Sequence, residues 1–183
     1  TEDRVFSIGG YQPIRQMHFK DYPSSLVSTA RFTCWGWATW RDRWEGLRPY
    51  LSRYGELFDS LKRVPDVGGP DLAAMARSVL HDEAVESWAI KVAISTLWLR
   101  KVHLLPTKGL VRNIGIGGGV HEGSRWSRRW KQCMQNRNIH EEPLEDIVWL
   151  EDVAPDEHYA EKLKQFIQRT GMLRRLWRKV LER

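Results

Sequence analysis

Four of the chain's ten tryptophans fall within eleven residues, in Cys34-Trp35-Gly36-Trp37-Ala38-Thr39-Trp40-Arg41-Asp42-Arg43-Trp44. An indole ring offers a broad apolar face and one N–H donor, so a group of them suits a surface that stacks on something flat, including the C–H face of a sugar ring. Gly36 lets a backbone or ligand come close. Core packing is the competing use, because Trp37, Trp40 and Trp44 recur at helical spacings of three and four. The glycine between them assigns Trp35 and Trp37 to ligand contact; the helical spacing assigns Trp40 and Trp44 to the core.

Two other segments carry groups capable of chemistry. Asp82, Glu83 and Glu86 stand at the start of a predicted helix, where unpaired N–H groups and the positive end of the helix dipole favour carboxylates. That preference alone explains all three. Glu86, directly before Ser87-Trp88, is the one beside an aromatic residue and hence the candidate for proton transfer. Asn113-Ile114-Gly115-Ile116-Gly117-Gly118-Gly119-Val120-His121 follows a predicted strand. It lacks the Lys-Ser or Lys-Thr of a Walker loop, and no apolar helix follows its glycines as a dinucleotide site requires. What remains is a glycine-rich loop ending in an imidazole, which either meets an ion or phosphate or is simply solvated.

The elements that must position these groups follow from periodicity and breakers. Residues 4–8 alternate and end at Gly9-Gly10, the pattern of a strand; its place at the start predicts an inner strand whose neighbours lie outside this chain. Residues 16–33 read as irregular. Short helices are predicted over 39–44 and 49–63, and another over 72–80 capped by Asp71. Residues 83–100 give the strongest helical pattern, with Val85, Trp88, Ala89, Val92, Ile94 and Leu99 on a wide apolar face. Short strands are predicted at 103–105 and 110–112, and a basic helix at 126–135. Residues 147–150 read as an edge strand or docking segment.

The 183 residues suffice for one domain with a real core, and 42% hydrophobic with 28% charged residues is ordinary globular composition. Two cysteines, Cys34 and Cys133, make no disulfide framework and no metal spacing, so a reducing, cytoplasmic setting is expected. The net charge of +6 is wholly in the tail: residues 158–183 hold eight Lys or Arg against two Glu, and the rest of the chain is neutral. An extended nucleic-acid groove is therefore not expected. The tail also carries Leu163, Phe166, Ile167, Leu176, Trp177, Val180 and Leu181 at helical intervals, a pattern interrupted near Gly171. It reads either as a helix that caps the domain or as a basic amphipathic helix for a membrane surface.

Ser7-Ile8-Gly9-Gly10-Tyr11, the Trp-Gly-Trp-Ala-Thr-Trp run, Glu86-Ser87-Trp88-Ala89-Ile90-Lys91, Leu105-Pro106 and residues 110–121 occur in this order. Together they resemble the C-terminal, acceptor-side half of bacterial GT-A-fold nucleotide-sugar glycosyltransferases of the hemolysin-like group, over roughly residues 4–123. The resemblance implies an α/β fold with few strands, several helices and a helical tail. Residues 1–123 would form the acceptor-side half, 124–157 a connecting segment and 158–183 the basic tail. It further implies an inverting transfer of sugar from a nucleotide-diphosphate donor to a glycan or lipid-linked glycan, in cell-surface polysaccharide or lipopolysaccharide synthesis.

By the same resemblance Glu86 is the catalytic base, with Ser87 where the family's usual pattern has aspartate. Tyr11, Trp35, Trp37, Trp88 and Asn113 contact substrate, and His121 is a ligand of a divalent Mn or Mg ion. The family's Asp-x-Asp metal motif belongs to a preceding half that this chain does not include. The expected location is cytoplasmic, peripheral at the inner membrane through residues 158–183. A non-catalytic carbohydrate-binding lobe and a membrane-surface adaptor are the alternatives.

Overall fold

A computed structural model describes residues 2–61, 68–81, 87–111 and 146–181. Strands β1 (Val5–Gly9), β2 (Leu26–Thr29), β3 (Trp37–Thr39) and β4 (Val102–Pro106) form one mixed sheet in the order β2-β4-β1-β3. β4 runs parallel to β1, and the outer strands β2 and β3 run antiparallel to their neighbours. The helices are α1 (Arg41–Leu51), α2 (Tyr54–Ser60), α3 (Leu72–His81), α4 (Trp88–Trp98) and α5 (Glu157–Leu181), with a 3-10 turn at Gln16–Phe19. The class is α/β, as the sequence predicts.

A bulge decides which side chains β1 gives to each face. Val5 pairs with Val102 but Ser7 pairs with His103, so Phe6 is one extra residue on β1. Val5 then packs with Leu26, Val102 and Leu104 under Leu150 and Val153, while Phe6 enters the main core on the helix side. Ser7 faces His103 there, and a 2.8 Å hydrogen bond joins Ser7 Oγ to His103 Nδ1.

Helix α4 is the centre of the helical layer and touches α1, α2 and α3. Six consecutive residues, Val92, Ala93, Ile94, Ser95, Thr96 and Leu97, are buried in it. This middle stretch is enclosed all round and has no solvent stripe to define, so the predicted amphipathic face gives way there to burial on every side, while Trp88 and Trp98 at the two ends stay exposed. Thr96 satisfies its hydroxyl by donating back to Val92 O at 2.8 Å.

Helix α5 begins where Asp156 Oδ1 accepts the Tyr159 N–H at 2.8 Å, a side-chain cap on an otherwise unpaired donor. Tyr159 and Leu163 are buried against Ile14, Phe19, Val27 and Leu105, with Phe166 and Ile167 beside them. The capping role expected as one alternative is thus fulfilled by the first half of this helix. Gln12 ties it to the sheet: Nε2 donates to Pro106 O at 2.8 Å, and Oε1 accepts from Ile14 N and from Tyr159 Oη.

Several expectations are corrected. β1 is an inner strand, but both of its partners belong to this chain. The stretch read as irregular contains β2 and the 3-10 turn; all four β2 residues are buried, so no alternation marks them. Residues 37–39 are a strand and the helix starts at Arg41, with Trp40 as its N-cap residue. Pro49 lies inside α1, which ends two residues later, and α2 is a separate helix. Asp71 spends its carboxylate on Arg31 rather than on a free N–H. Leu110 and Val111 form no strand; Leu110 N donates to Gly10 O at 2.8 Å. Residues 147–150 form no strand either, but dock on the chain before β2 through Ser25 N to Val148 O at 2.9 Å. α5 continues through Gly171, whose helical cost of about 1 kcal/mol relative to Ala is small beside the packing of the first turns. The basic helix predicted at 126–135 and the segment 112–145 lie outside the described residues.

Candidate ligand surface

Three chain segments meet at one end of the sheet. β1 leaves through Gly10 and Tyr11, β3 is entered through Trp35 and Gly36, and β4 is followed by Leu110 and Val111. Gly10 N donates to Gly36 O at 2.8 Å, which locks the first two together. Val111 closes over both: a Cβ at Gly10 would lie 2.6 Å from Val111 Cγ2, and one at Gly36 closer still. Gly36 also has φ +56°, the left-handed region where side chains are unfavourable. The two glycines are thus required by close packing and backbone conformation.

Aromatic rings surround this junction. Tyr11 meets Trp35 edge to face, with ring centroids 4.5 Å apart and planes at 70°. Trp37 stacks on Trp88 at 5.9 Å and 29°, and its other neighbours are Phe32 at 5.0 Å, Trp44 at 6.1 Å and Phe6 at 6.5 Å. Trp88, the first residue of α4, is 51% exposed. Trp37 pairs with Gly9 in the sheet, and the space above that glycine is filled by Leu105 and Thr33: a Cβ there would lie 2.7 Å from Leu105 Cδ2 and 2.9 Å from Thr33 Oγ1.

The four described candidates thus form two ring pairs, Tyr11 with Trp35 and Trp37 with Trp88, with different duties. Trp88 offers an exposed ring, Trp35 is half-buried against Tyr11, and Trp37 is the packed base on which Trp88 lies. The division expected within the tryptophan run is corrected. Trp37 packs against the main core, whereas Trp40 is exposed and carries the Arg43 guanidinium at 3.9 Å from its ring centroid. The spacing misleads because Trp37 is on a strand and only Trp44 is inside the helix. Arg43 in turn donates to Val5 O and, at 3.1 Å, to Glu2 O, fixing the start of β1. Glu86, Asn113 and His121 lie outside the described residues.

Burial pushes the Tyr11 phenol up to about 12, with the charge of Arg31 acting weakly against it. Tyr11 therefore keeps its proton at neutral pH and is available as a donor. Arg31 is itself engaged, donating to Asp71 Oδ1 at 2.6 Å, Asp71 Oδ2 at 3.0 Å and Gly68 O at 3.0 Å. Its charge is balanced within the fold rather than offered to an anion.

No protein-family model matches the chain, and no curated protein or solved structure matches it. Among the described residues no group of three His, Cys, Asp or Glu side chains could hold a metal ion. A divalent ion would have to take its ligands from elsewhere, His121 included, and the described residues do not fit that role. Nor is any helix among them long and apolar enough to cross a membrane.

One residue escapes reading from sequence altogether. His103 is fully buried on β4, between Phe6 at 5.8 Å and Phe32 at 5.4 Å, and its Nε2 has no hydrogen-bond partner among the described residues. Burial lowers its pKa to about 3, so the ring is neutral. The signal was a single polar residue inside Val102-His103-Leu104-Leu105, which also describes many buried structural histidines.

Proposed function

We propose that this chain is the acceptor-side lobe of an inverting GT-A glycosyltransferase, which positions a glycan hydroxyl for attack on a nucleotide-activated sugar. The observation that carries this reading is the convergence of Tyr11, Trp35, Trp37 and Trp88 beyond the carboxyl ends of the parallel pair β1 and β4. Open α/β sheets bind ligands at that end, and an exposed indole on a rigid base suits the apolar face of a sugar ring. In the sequence, Glu86 stands two residues before Trp88, and Asn113 two residues after Val111. Glu86 would take the proton from the acceptor hydroxyl as it attacks the anomeric carbon, the bond to the diphosphate breaking on the opposite side. Tyr11, protonated, would hold an acceptor oxygen, and the proposed donor is a nucleotide sugar with Mn or Mg supplied by groups beyond the described residues.

The test is Glu86→Gln in the intact enzyme, which keeps the shape and removes the base. Transfer should fall about 10²–10⁴-fold, the usual share of a general base, with acceptor binding unchanged. Transfer within a few-fold of wild type would remove Glu86 from the reaction. A second reading is a non-catalytic carbohydrate-binding lobe, favoured by Ser87 in place of the family's aspartate. Glycan binding that persists without nucleotide or metal, with no transfer by the wild type, would select it.

A further inference from the structure

The 3-10 turn and α5 are held together by Phe19, which stacks on Tyr159 at 6.3 Å and 26°, with Leu163 in the same cluster. This packing has a consequence for the residues beside it. Arg15 and His18 border Phe19 on the turn; His158 and Lys162 border Tyr159 and Leu163 on the helix. Positions 158, 162, 165 and 169 follow at intervals of four, three and four, so His158, Lys162, Gln165 and Arg169 share one flank of α5. Arg15, His18, His158 and Arg169 are exposed and Lys162 is half-buried.

The other four basic groups all act on His18. The pKa of His18 is lowered first by partial burial, then by the charges of Lys162, Arg15, Arg169 and His158. The ion pairs among the described residues join Arg4 to Glu2 and Asp152, Arg31 to Asp71, and Arg53 to Glu56, and involve none of the five. On the adjoining flank Glu161 accepts a hydrogen bond from Gln165 Nε2 at 3.1 Å. Like charges gathered from two separate elements make a local positive field that attracts an anionic surface, most strongly at low salt.

We propose that Arg15, His18, His158, Lys162 and Arg169 form a docking surface for the phosphate headgroups of an anionic lipid bilayer. Nucleic acid is the other polyanion that such a surface could meet, and two observations favour lipid. Residues 1–157 are neutral overall, so the net positive charge is confined to the sequence of the tail rather than spread along the chain. The helix also continues from the cluster into a sequence that mixes Leu173, Leu176, Trp177, Val180 and Leu181 with Arg174, Arg175, Arg178 and Lys179, the composition of an interfacial helix. The proposal is independent of the sugar reading.

It is tested by sedimentation of the full chain with phosphatidylcholine vesicles, with and without phosphatidylglycerol, at low and high salt. Arg15→Gln/Lys162→Gln/Arg169→Gln should weaken binding to the anionic vesicles roughly a hundredfold, since each Lys or Arg near such a surface contributes about fivefold. Arg15→Lys/Lys162→Arg/Arg169→Lys, which keeps the charge, should bind as wild type. So should Arg41→Gln/Arg48→Gln/Arg77→Gln, which removes the same charge from α1 and α3. Wild-type binding by the first triple variant, or equal losses in the first and third, would overturn the proposal. Tighter binding to a DNA duplex than to anionic vesicles at the same salt, lost in the first variant, would also overturn it in favour of nucleic acid.

Discussion

Two aromatic stacks in this chain have nearly the same geometry and opposite exposure. Trp37 and Trp88 lie 5.9 Å apart at 29°, Phe19 and Tyr159 6.3 Å apart at 26°. Yet Trp88 is 51% exposed and Tyr159 only 1%. Stacking therefore does not distinguish a ligand surface from a seam between elements; the fate of the outer ring face does. Beneath α5 the outer face is covered by the helix that supplies it, and the polar tip is retained by Gln12. At the carboxyl end of β1 and β4 the outer ring is the first residue of a helix, with nothing of α4 before it to cover it.

The comparison breaks first at the sealed stack. Tyr159→Ala should destabilise the chain by about 3–5 kcal/mol, as for other buried aromatic truncations, and should lower the melting temperature without changing sugar affinity of the folded fraction. Lost sugar binding at temperatures well below the melt would mean that the two regions are not separate. Gly36→Ala acts at the open stack through the backbone instead. The positive φ and the Val111 contact should together cost about 2–4 kcal/mol, and here sugar binding should fall too, because Trp35 and Trp37 move with the loop.

Acid should act on the core between them. His103 has a folded-state pKa of about 3, depressed from 6.5 by burial, so below pH 6.5 the unfolded chain binds a proton that the folded chain does not. Stability should fall by about 1.4 kcal/mol per pH unit from roughly pH 6 down towards pH 3 from this group alone. His103→Leu should flatten that part of a pH series of denaturant melts while lowering stability at neutral pH, because Ser7 Oγ loses its partner. An unchanged slope would place the acid sensitivity elsewhere.

What the sequence disclosed depends on how sharply local pattern reports tertiary use. β1 and β4 were readable because apolar runs end at glycines or proline, and α3 because Leu72, Ala76 and Val79 keep helical spacing. β2 was not, since Leu26-Val27-Ser28-Thr29 is short, rich in hydroxyls and buried throughout. The roles of Trp37 and Trp40 were exchanged because three rings at helical intervals imitate a helix where the chain turns from strand to helix at Trp40. The site was legible as a set of residue types but not as a geometry. Nothing local links Tyr11 to Trp35 or Trp37 to Trp88; those pairs exist only through the sheet register and the Gly10–Gly36 crossing.

The smallest stability effect should accompany the largest functional one. Trp88→Ala removes a half-exposed ring and two aromatic pairs, with Trp37 and Phe32, and should cost only about 1–3 kcal/mol in a thermal melt. The decisive measurement is calorimetric titration of wild type and Trp88→Ala with a panel of bacterial-type oligosaccharides. The open stack as a sugar platform predicts that the wild type binds members of the panel and that the variant binds them at least about tenfold more weakly while still folded. Equal affinities in the two proteins, or no binding of any member by the wild type, would contradict it.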